Sequence, residues 1–130
     1  AVKGFAVNAN RPTGMGSLTL DESRVTPVTD WVTQVPGGFN VAFVRQPDGL
    51  VVFEATTTSA YSASVLALAE KRYPGVKVKA VVTTSDAWPH LSGIREYVAR
   101  GIPIYALDLN IPILTRMIAA PRTMSPDAQA

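Results

Sequence analysis

A four-residue turn at positions 46–49, with the sequence Gln-Pro-Asp-Gly, restricts the possible folds of this chain more than any other feature. Proline presets the φ angle needed at the second position of a turn, and glycine accepts the positive φ that other residues avoid. The turn separates two strand-like runs at 40–45 and 50–55, so we predict a β-hairpin here. Weaker strand-like runs at 5–9, 17–20 and 25–35 precede it, which indicates a first part made of strands.

The chain after the hairpin alternates between helical and strand patterns. Hydroxyls at 57–59 are suited to cap a helix over 61–73, which the Pro-Gly pair at 74–75 ends. A strand at 76–84, a helix with Pro89 in its first turn, a strand at 102–107 and a short helix from Asn110 to about Ile118 follow. Such strand–helix–strand units favour parallel pairing with a right-handed crossover. The sequence therefore predicts an α/β fold built on a mixed sheet.

Composition and charge exclude several classes of protein. The 130 residues are 47% hydrophobic and 17% charged, which predicts one ordered domain over 1–130 and excludes a disordered tail. The chain has no cysteine, so it has no disulfide, no thiolate metal site and no cysteine nucleophile. The net charge is only +2 and the basic residues cluster only at 71–79, so we expect no nucleic-acid partner. No apolar run is long enough for a membrane span, so we expect no membrane association.

The best candidate for a functional site is the segment at 83–94, with the sequence TTSDAWPHLSGI. It follows a strand that we predict to be buried, it opens a helix, and it contains His90, the only histidine of the chain. In open α/β sheets, ligands bind beyond the carboxyl ends of the strands. The position of this segment therefore makes it the predicted site.

From about residue 31 to residue 120, the sequence resembles the metallo-β-lactamase-fold superfamily. The resemblance lies in the order and spacing of five stretches: GGFN at 37–40, VVFEA at 51–55, YPG at 73–75, VVTT at 81–84 and GIREYVARG at 93–101. Domains of this superfamily are αβ/βα sandwiches of two similar halves. The resemblance thus implies that this chain is the N-terminal half of such a sandwich, a mixed sheet with helices on one face.

The zinc motif of that superfamily, His-x-His-x-Asp-His, falls on residues 85–90 of this chain. Ser85 stands at the first histidine position, Ala87 at the second, Pro89 at the aspartate, and His90 at the last histidine. Alanine and proline side chains have no lone pairs to offer, and a serine hydroxyl is a poor ligand. The comparison with the motif therefore predicts a degenerate site that binds no zinc, and a pseudoenzyme without a cofactor.

Other interpretations of the same segment stay open. Ser85 could act as a nucleophile with His90 as its base and Asp108 as the orienting acid, which would make the chain a metal-free hydrolase. Ser85 and Asp86 could instead cap the following helix. Asp86 and the large side chain of Trp88 are suited to a ligand or partner surface. Glu54, at the end of the hairpin, is predicted to be a strand-end hydrogen-bonding residue.

Half a sandwich leaves one apolar face of its sheet uncovered. We therefore expect a partner for that face, either an identical chain in a homodimer or a missing C-terminal half. Residues 121–130 are predicted to be a tail or a cut linker, so the chain could be a fragment of a longer metallo-hydrolase-like protein. The sequence starts at Ala1 and lacks cysteine, which is compatible with a processed or exported protein but leaves the compartment open.

Overall fold

The computed structural model describes residues 18–123 and 126–129. A 3₁₀ turn at Glu22–Arg24 precedes the sheet, and a second one at Asp108–Asn110 precedes the last helix. The strands are β1 (Thr26–Pro27), β2 (Val32–Val35), β3 (Val41–Gln46), β4 (Gly49–Phe53), β5 (Val78–Val82) and β6 (Ile104–Tyr105). The helices are α1 (Ser59–Arg72), α2 (Trp88–Leu91), α3 (Ile94–Ala99) and α4 (Ile111–Ala119).

The six strands form one mixed sheet in the order β1-β2-β3-β4-β5-β6. The first four strands are antiparallel, whereas β4, β5 and β6 run parallel to one another. This confirms the predicted α/β class and the mixed sheet. The parallel part places the carboxyl ends of β4, β5 and β6 at one edge of the sheet.

The predicted hairpin is β3–β4, and its strands are paired from Ala42↔Phe53 to Gln46↔Gly49. Pro47 and Asp48 form the two-residue turn between them. Gly49 lies so close to the segment before β5 that an added Cβ would approach the carbonyl oxygen of Lys77 to 2.8 Å. Glycine is therefore required here by the close approach of β4 to the segment that leads into β5.

One face of the sheet is covered by the helices, and we call it the covered face. Its strand side chains are fully or almost fully buried and belong to one apolar cluster with α1, α2, α3 and α4. All the buried apolar side chains that the described helices contribute belong to that cluster. The strand members are Val35, Val41, Phe43, Leu50, Val52 and Val81.

The other side of the same strands forms a second face, which we call the open face. Two cross-strand rows define it, since residues paired in register point to the same side of a sheet. Val51 and Ala80 on this face are the only buried apolar residues of the described chain that lie outside the cluster. The rows are Val32–Val44–Val51–Ala80 and Gln34–Ala42–Phe53–Val82–Tyr105.

Helix α1 begins where the capping hydroxyls predicted it. The hydroxyl oxygen of Thr58 accepts a hydrogen bond from the amide of Tyr61 at 3.0 Å, which satisfies one of the free amides of the first turn. The helix starts at Ser59, two residues before the predicted start, and ends at Arg72, one residue before the predicted end. Tyr73 and Pro74 follow it, and Gly75 then adopts a φ of +76°.

Several predicted elements differ from the structure, and the single helix predicted between Pro89 and Gly101 is two helices, α2 and α3. The run at 25–35 is two short strands, because the Thr29 hydroxyl accepts hydrogen bonds from the amides of Trp31 and Val32 and turns the chain between them. Strand β6 covers only two residues of the predicted 102–107. Asn110 does not cap α4; its side-chain amide donates to the carbonyl of Ser85 instead. The predicted strand at 5–9 lies outside the described residues, as does Ser17, and 18–20 belong to no strand.

The side chain of Arg95, only 3% exposed, binds the end of α4 and the C-terminal segment. Its Nη1 donates to the carbonyl oxygens of Met117, Ile118 and Ala120. Its Nε and Nη2 bond the two carboxylate oxygens of Asp127 at 2.6 and 3.0 Å. This arrangement fastens Asp127, which lies within the predicted tail, to the body of the domain.

Candidate functional site

The predicted site lies at the sheet edge where β4, β5 and β6 end. The loop after β4, residues 54–58, is bonded to the segment 89–93 by four hydrogen bonds that are 2.7 to 3.1 Å long. The amides of Ala55 and Thr57 donate to the carbonyls at His90 and Pro89, the amide of Gly93 donates to Ala55, and the Ser92 hydroxyl donates to Thr57. These bonds hold α2 against the strand ends.

Close packing at Gly93 is part of the same arrangement. A Cβ at this position would lie 2.1 Å from Oγ of Ser62 and 2.8 Å from the carbonyl oxygens of Thr56 and Thr58. Only glycine leaves room for the loop to meet the start of α3. The contact fixes the distance between α1, the loop after β4 and the helical segment that carries His90.

Two residues of the loop have a left-handed backbone, Glu54 with φ +72° and Thr57 with φ +73°. This conformation costs about 1 to 3 kcal/mol per residue when the residue is not glycine, and more so when the side chain is β-branched. The four hydrogen bonds between the loop and residues 89–93 offset the strain. The strained backbone at Glu54 turns its side chain toward the carboxyl end of β5.

Glu54 joins the two neighbouring strand ends. Its Oε1 accepts hydrogen bonds from both the amide, at 3.0 Å, and the hydroxyl of Thr84. Its Oε2 lies 3.3 Å from Nδ1 of His90, and the Glu54 side chain is only 12% exposed. This confirms the prediction that Glu54 is a strand-end hydrogen-bonding residue and adds a contact with His90 that the sequence reasoning missed.

His90 is the third residue of α2, and its ring is held from two sides. Phe39 packs edge-on against it with a centroid distance of 5.1 Å, and Glu54 faces Nδ1. About a third of the side chain, 32%, remains accessible to solvent. The acid beside this histidine is therefore Glu54, and not Asp108, which is exposed and begins the second 3₁₀ turn.

Ser85 is engaged in its own loop. Its hydroxyl oxygen accepts a hydrogen bond from the amide of Ala87 at 3.1 Å, and its carbonyl accepts from Asn110 at 3.2 Å. Within residues 18–123 and 126–129, no hydrogen bond joins the Ser85 hydroxyl to His90. The predicted helix cap is not formed either, because Ala87 occupies the N-cap position of α2 and no side chain accepts a hydrogen bond from the first turn; Ser85 binds only the amide of Ala87.

The remaining predicted residues lie on the surface of the same loop. Asp86 and Ala87 are exposed, and Trp88 is 58% exposed at the start of α2. Pro89 stands in the first turn of α2, where its missing amide proton costs nothing. Exposed leucines at 107 and 109 follow the neighbouring strand β6, and Asn110 ties their loop to Ser85. The loops after β5 and β6 thus carry exposed apolar side chains at the same end of the sheet.

The structure therefore brings together Glu54, Thr84 and His90. In the described part of the chain, no group of three or more His, Cys, Asp and Glu side chains lies close enough to hold a metal ion. The sequence reasoning missed the Glu54–His90 contact. Parallel pairing of β4 with β5 would have indicated it, because that pairing places the residues after Phe53 and Val82 side by side. None of the described helices has the length and hydropathy needed to cross a membrane.

Solved structures share this architecture. A metallo-β-lactamase from Erythrobacter litoralis matches with a TM-score of 0.64 at 16% identity, over 78% of this chain and 48% of that one. DIM-1 metallo-β-lactamase matches with a TM-score of 0.63 at 14% identity, over 79% and 50% of the two chains. TMB-1 matches with a TM-score of 0.63 at 15% identity, over 84% and 52%. The chain spans about half the length of these structures.

No protein-family model matches the sequence, and no curated protein matches it either. The likeness to solved structures is therefore a likeness of fold. It confirms the predicted architecture, in which a mixed sheet with helices forms part of a larger sandwich.

Proposed function

We propose that this chain, which has about half of the metallo-β-lactamase fold, is a zinc-independent binding or scaffold domain rather than a hydrolase. The donor set at the carboxyl edge carries the proposal. Of the residues at the motif positions, Ala87 and Pro89 have no donor atoms, and the Ser85 hydroxyl is bonded to the amide of Ala87. His90 is left with Glu54 as its neighbouring carboxylate. Structural and catalytic zinc sites use three or four protein ligands, so this set does not fit the ion.

The interactions of Glu54 support a structural role, rather than a catalytic one, for Glu54 and His90. Glu54 satisfies the amide and hydroxyl of Thr84, which ties the loop after β5 to the loop after β4. His90, on α2, lies beside this link with its Nδ1 3.3 Å from Oε2 of Glu54, and its ring packs edge-on against Phe39. Asp86 and Trp88 are exposed on the loop at this sheet edge and form the proposed ligand or partner surface.

Zinc binding by the purified chain tests the proposal. After removal of metal and exchange against a zinc-buffered solution, we expect no stoichiometric zinc by elemental analysis. The triple variant Ser85→His, Ala87→His, Pro89→Asp restores the donor types of the motif on the same backbone and serves as the positive control; it is expected to retain zinc. One equivalent of zinc on the natural chain, lost in His90→Ala, would contradict the proposal.

Hydrolysis provides a second readout. A metal-free reaction would need Ser85 within hydrogen-bond reach of its base, whereas the Ser85 hydroxyl bonds Ala87. We expect a chromogenic ester and a chromogenic β-lactam to react with the natural chain no faster than with Ser85→Ala. A rate that disappears in both Ser85→Ala and His90→Ala would establish a serine hydrolase and remove the binding-domain proposal.

The half-length match favours a partner. As part of the proposed binding function, a partner packs on the open face. That partner is either an identical chain or the second half of a longer metallo-hydrolase-like protein. Layers of secondary structure in one domain bury each other's apolar faces, and a half-sandwich has one face left over. The intact mass of the natural protein distinguishes these sources, because a parent chain of about twice the length would supply the second half itself.

A further inference from the structure

Two neighbouring segments at the carboxyl edge of the sheet, residues 83–94 and 104–113, carry most of the exposed apolar side chains, and we call their surface the carboxyl-edge patch. Of the eight large apolar residues that are exposed in the described chain, five lie on these segments. Single exposed apolar residues are common on proteins, whereas a group of them at one place marks an interaction site. The five are Trp88, Tyr105, Leu107, Leu109 and Ile111.

Hydrogen bonds fix the two segments against each other. Asn110 is buried, and its side-chain amide donates to the carbonyl of Ser85 at 3.2 Å. The amide of Thr83 donates to the carbonyl of Tyr105 at 2.9 Å. Leu109 precedes the buried Asn110 and is itself 90% exposed. The patch is therefore formed in the unbound chain, so a partner loses little conformational entropy in ordering it.

The charged side chains of the patch have one sign. Asp86 and Asp108 are exposed, and the two segments contain neither lysine nor arginine, although the chain has a net charge of +2. The first basic residues after the segments are Arg95, which is buried, and Arg116, which lies in the second turn of α4. Within residues 18–123 and 126–129, no ion pair includes either aspartate. The patch therefore combines apolar surface with negative charge.

We propose that the carboxyl-edge patch binds a basic amphipathic segment of another protein, in which lysine or arginine side chains lie beside apolar ones. The inference rests on the proposed binding function and names the chemistry of its partner. Apolar side chains of the partner pack on Leu107 and Leu109, and its cations face Asp86 and Asp108. The indole ring of Trp88 adds to the attraction, because the face of a tryptophan ring attracts a cation within about 6 Å.

Charge favours this partner over two others. A second copy of the chain, bound in a two-fold contact, would bring the aspartates of both patches into one interface, where like charges repel. A membrane with anionic lipids attracts clusters of lysine and arginine, and the patch offers aspartates instead. A basic amphipathic segment is complementary to both the apolar and the acidic side chains.

Calorimetric titration with peptides is the first part of the test. The probe is a short peptide of repeated Leu-Lys-Ser, blocked at both ends, and its controls are Leu-Glu-Ser and Gly-Lys-Ser repeats of the same length. We expect one Leu-Lys-Ser peptide to bind per chain. Its dissociation constant should be at least about tenfold lower than that of either control, because each control lacks one of the two attractions.

Substitution of the two tryptophans locates the bound surface. Trp88→Ala is expected to raise the dissociation constant about tenfold, because aromatic side chains carry much of the binding energy of an interface. Trp31→Ala is the matched control, since both residues are 58% exposed. Trp31 lies at the opposite end of the sheet, where its carbonyl accepts a hydrogen bond from the amide of Arg45, and its loss should leave binding unchanged.

Substitutions of Leu109 and the aspartates test the two attractions separately. Leu109→Ser should weaken binding several-fold without unfolding the chain, because the side chain is almost fully in water. Asp86→Asn and Asp108→Asn should each raise the dissociation constant about threefold, since an exposed ion pair contributes little. Together they should reduce the dependence of binding on salt concentration. Circular dichroism of each variant checks that its fold is intact.

Several results would overturn the proposal. They are the absence of peptide binding, equal binding of the Leu-Glu-Ser or Gly-Lys-Ser peptide, and equal effects of Trp88→Ala and Trp31→Ala. Binding to phosphatidylglycerol vesicles, or self-association in sedimentation equilibrium, would assign the patch to a membrane or to a second copy if Leu109→Ser abolished it. Failure of the zinc-independent function is a separate result, because zinc content is measured without peptide.

Discussion

Strand β3 shows how differently the two faces of one sheet are used. Val41 and Phe43 point to the covered face and are 1% and 0% exposed. Ala42 and Val44, between and after them, point to the open face and are only partly buried. Both sets are apolar, so the alternation that normally separates core from solvent is absent. The comparison teaches that β3 is apolar on both faces of the sheet, whereas the buried apolar side chains of the described helices all lie on one of them.

The largest expected effect lies on the covered face. Phe43→Ala should lower the free energy of unfolding by about 4 kcal/mol, because it removes a fully buried ring and leaves a cavity. The ring also packs edge-on against Tyr73, with centroids 6.1 Å apart. Urea denaturation of dilute protein followed by circular dichroism measures the change. A loss below about 1 kcal/mol would show that the covered face is not the main core.

A substitution at Gly93, where the start of α3 meets the loop after β4, should lower the free energy of unfolding by the next largest amount. Gly93→Ala places a methyl group against Ser62 and two backbone carbonyls, so we expect a loss of about 2 kcal/mol and weaker protection of the amides of Ala55 and Thr57. Gly75→Ala is the control: its position has open space around it and costs only about 1 kcal/mol for its positive φ. Hydrogen exchange with mass spectrometry compares the two variants. Equal effects would remove the argument from close packing.

Part of the loss of folding stability at low pH should come from the ion pair between Arg95 on α3 and Asp127. Hydrogen bonds from Arg95 hold the pKa of Asp127 below its ordinary value. Because the folded pKa is lowered, this pair stabilises the fold above the unfolded pKa, and the contribution is lost as the pH falls through the folded pKa. Asp127→Asn should therefore be less stable than the natural chain at neutral pH, by about 1 to 3 kcal/mol, with the difference shrinking below about pH 4.

Asp48→Asn is the matched control for that measurement. Its pKa is also lowered, by a hydrogen bond from Lys79, but the group is exposed. We expect a much smaller change in the pH dependence of unfolding, because solvent screens an exposed pair. If both variants gave the same pH profile, the buried Arg95–Asp127 pair would not be the source of the acid sensitivity.

The smallest expected effect lies on the open face. Val44→Ala in dilute, monomeric protein should change the free energy of unfolding by only about 0.5 kcal/mol, because its side chain is already partly in water. Val41→Ala is the matched substitution on the covered face of the same strand. Because Val41 is fully buried, its loss should cost about 2 kcal/mol. Thermal or urea unfolding of the two variants side by side checks this ratio. Similar losses would mean that the open face is packed within the monomer.

The sequence was informative where local chemistry decides the structure. The turn at 46–49, the cap at Thr58 and the glycine after α1 predicted the hairpin and the first helix, because each depends on a few neighbouring residues. The resemblance to a known fold then supplied the order of the layers, which local patterns cannot give. Solved structures confirm that order at the level of the fold.

Prediction was weaker where distant segments decide the outcome. Asn110 was expected to cap a helix but bonds Ser85, on the loop after another strand. The partner of His90 is Glu54, which is 36 positions away and reaches it through a left-handed backbone that no local pattern predicts for glutamate. Both contacts depend on which strands are neighbours: the Asn110–Ser85 bond requires β6 beside β5, and the Glu54–His90 contact requires β4 beside β5.

The measurement that tests the account most directly is the zinc content of the purified natural chain, determined beside the triple variant Ser85→His, Ala87→His, Pro89→Asp after exchange against the same zinc-buffered solution. The account predicts zinc on the variant and no stoichiometric zinc on the natural chain, because Ala87 and Pro89 have no donor atoms. One equivalent of zinc on the natural chain that is lost in His90→Ala would contradict it.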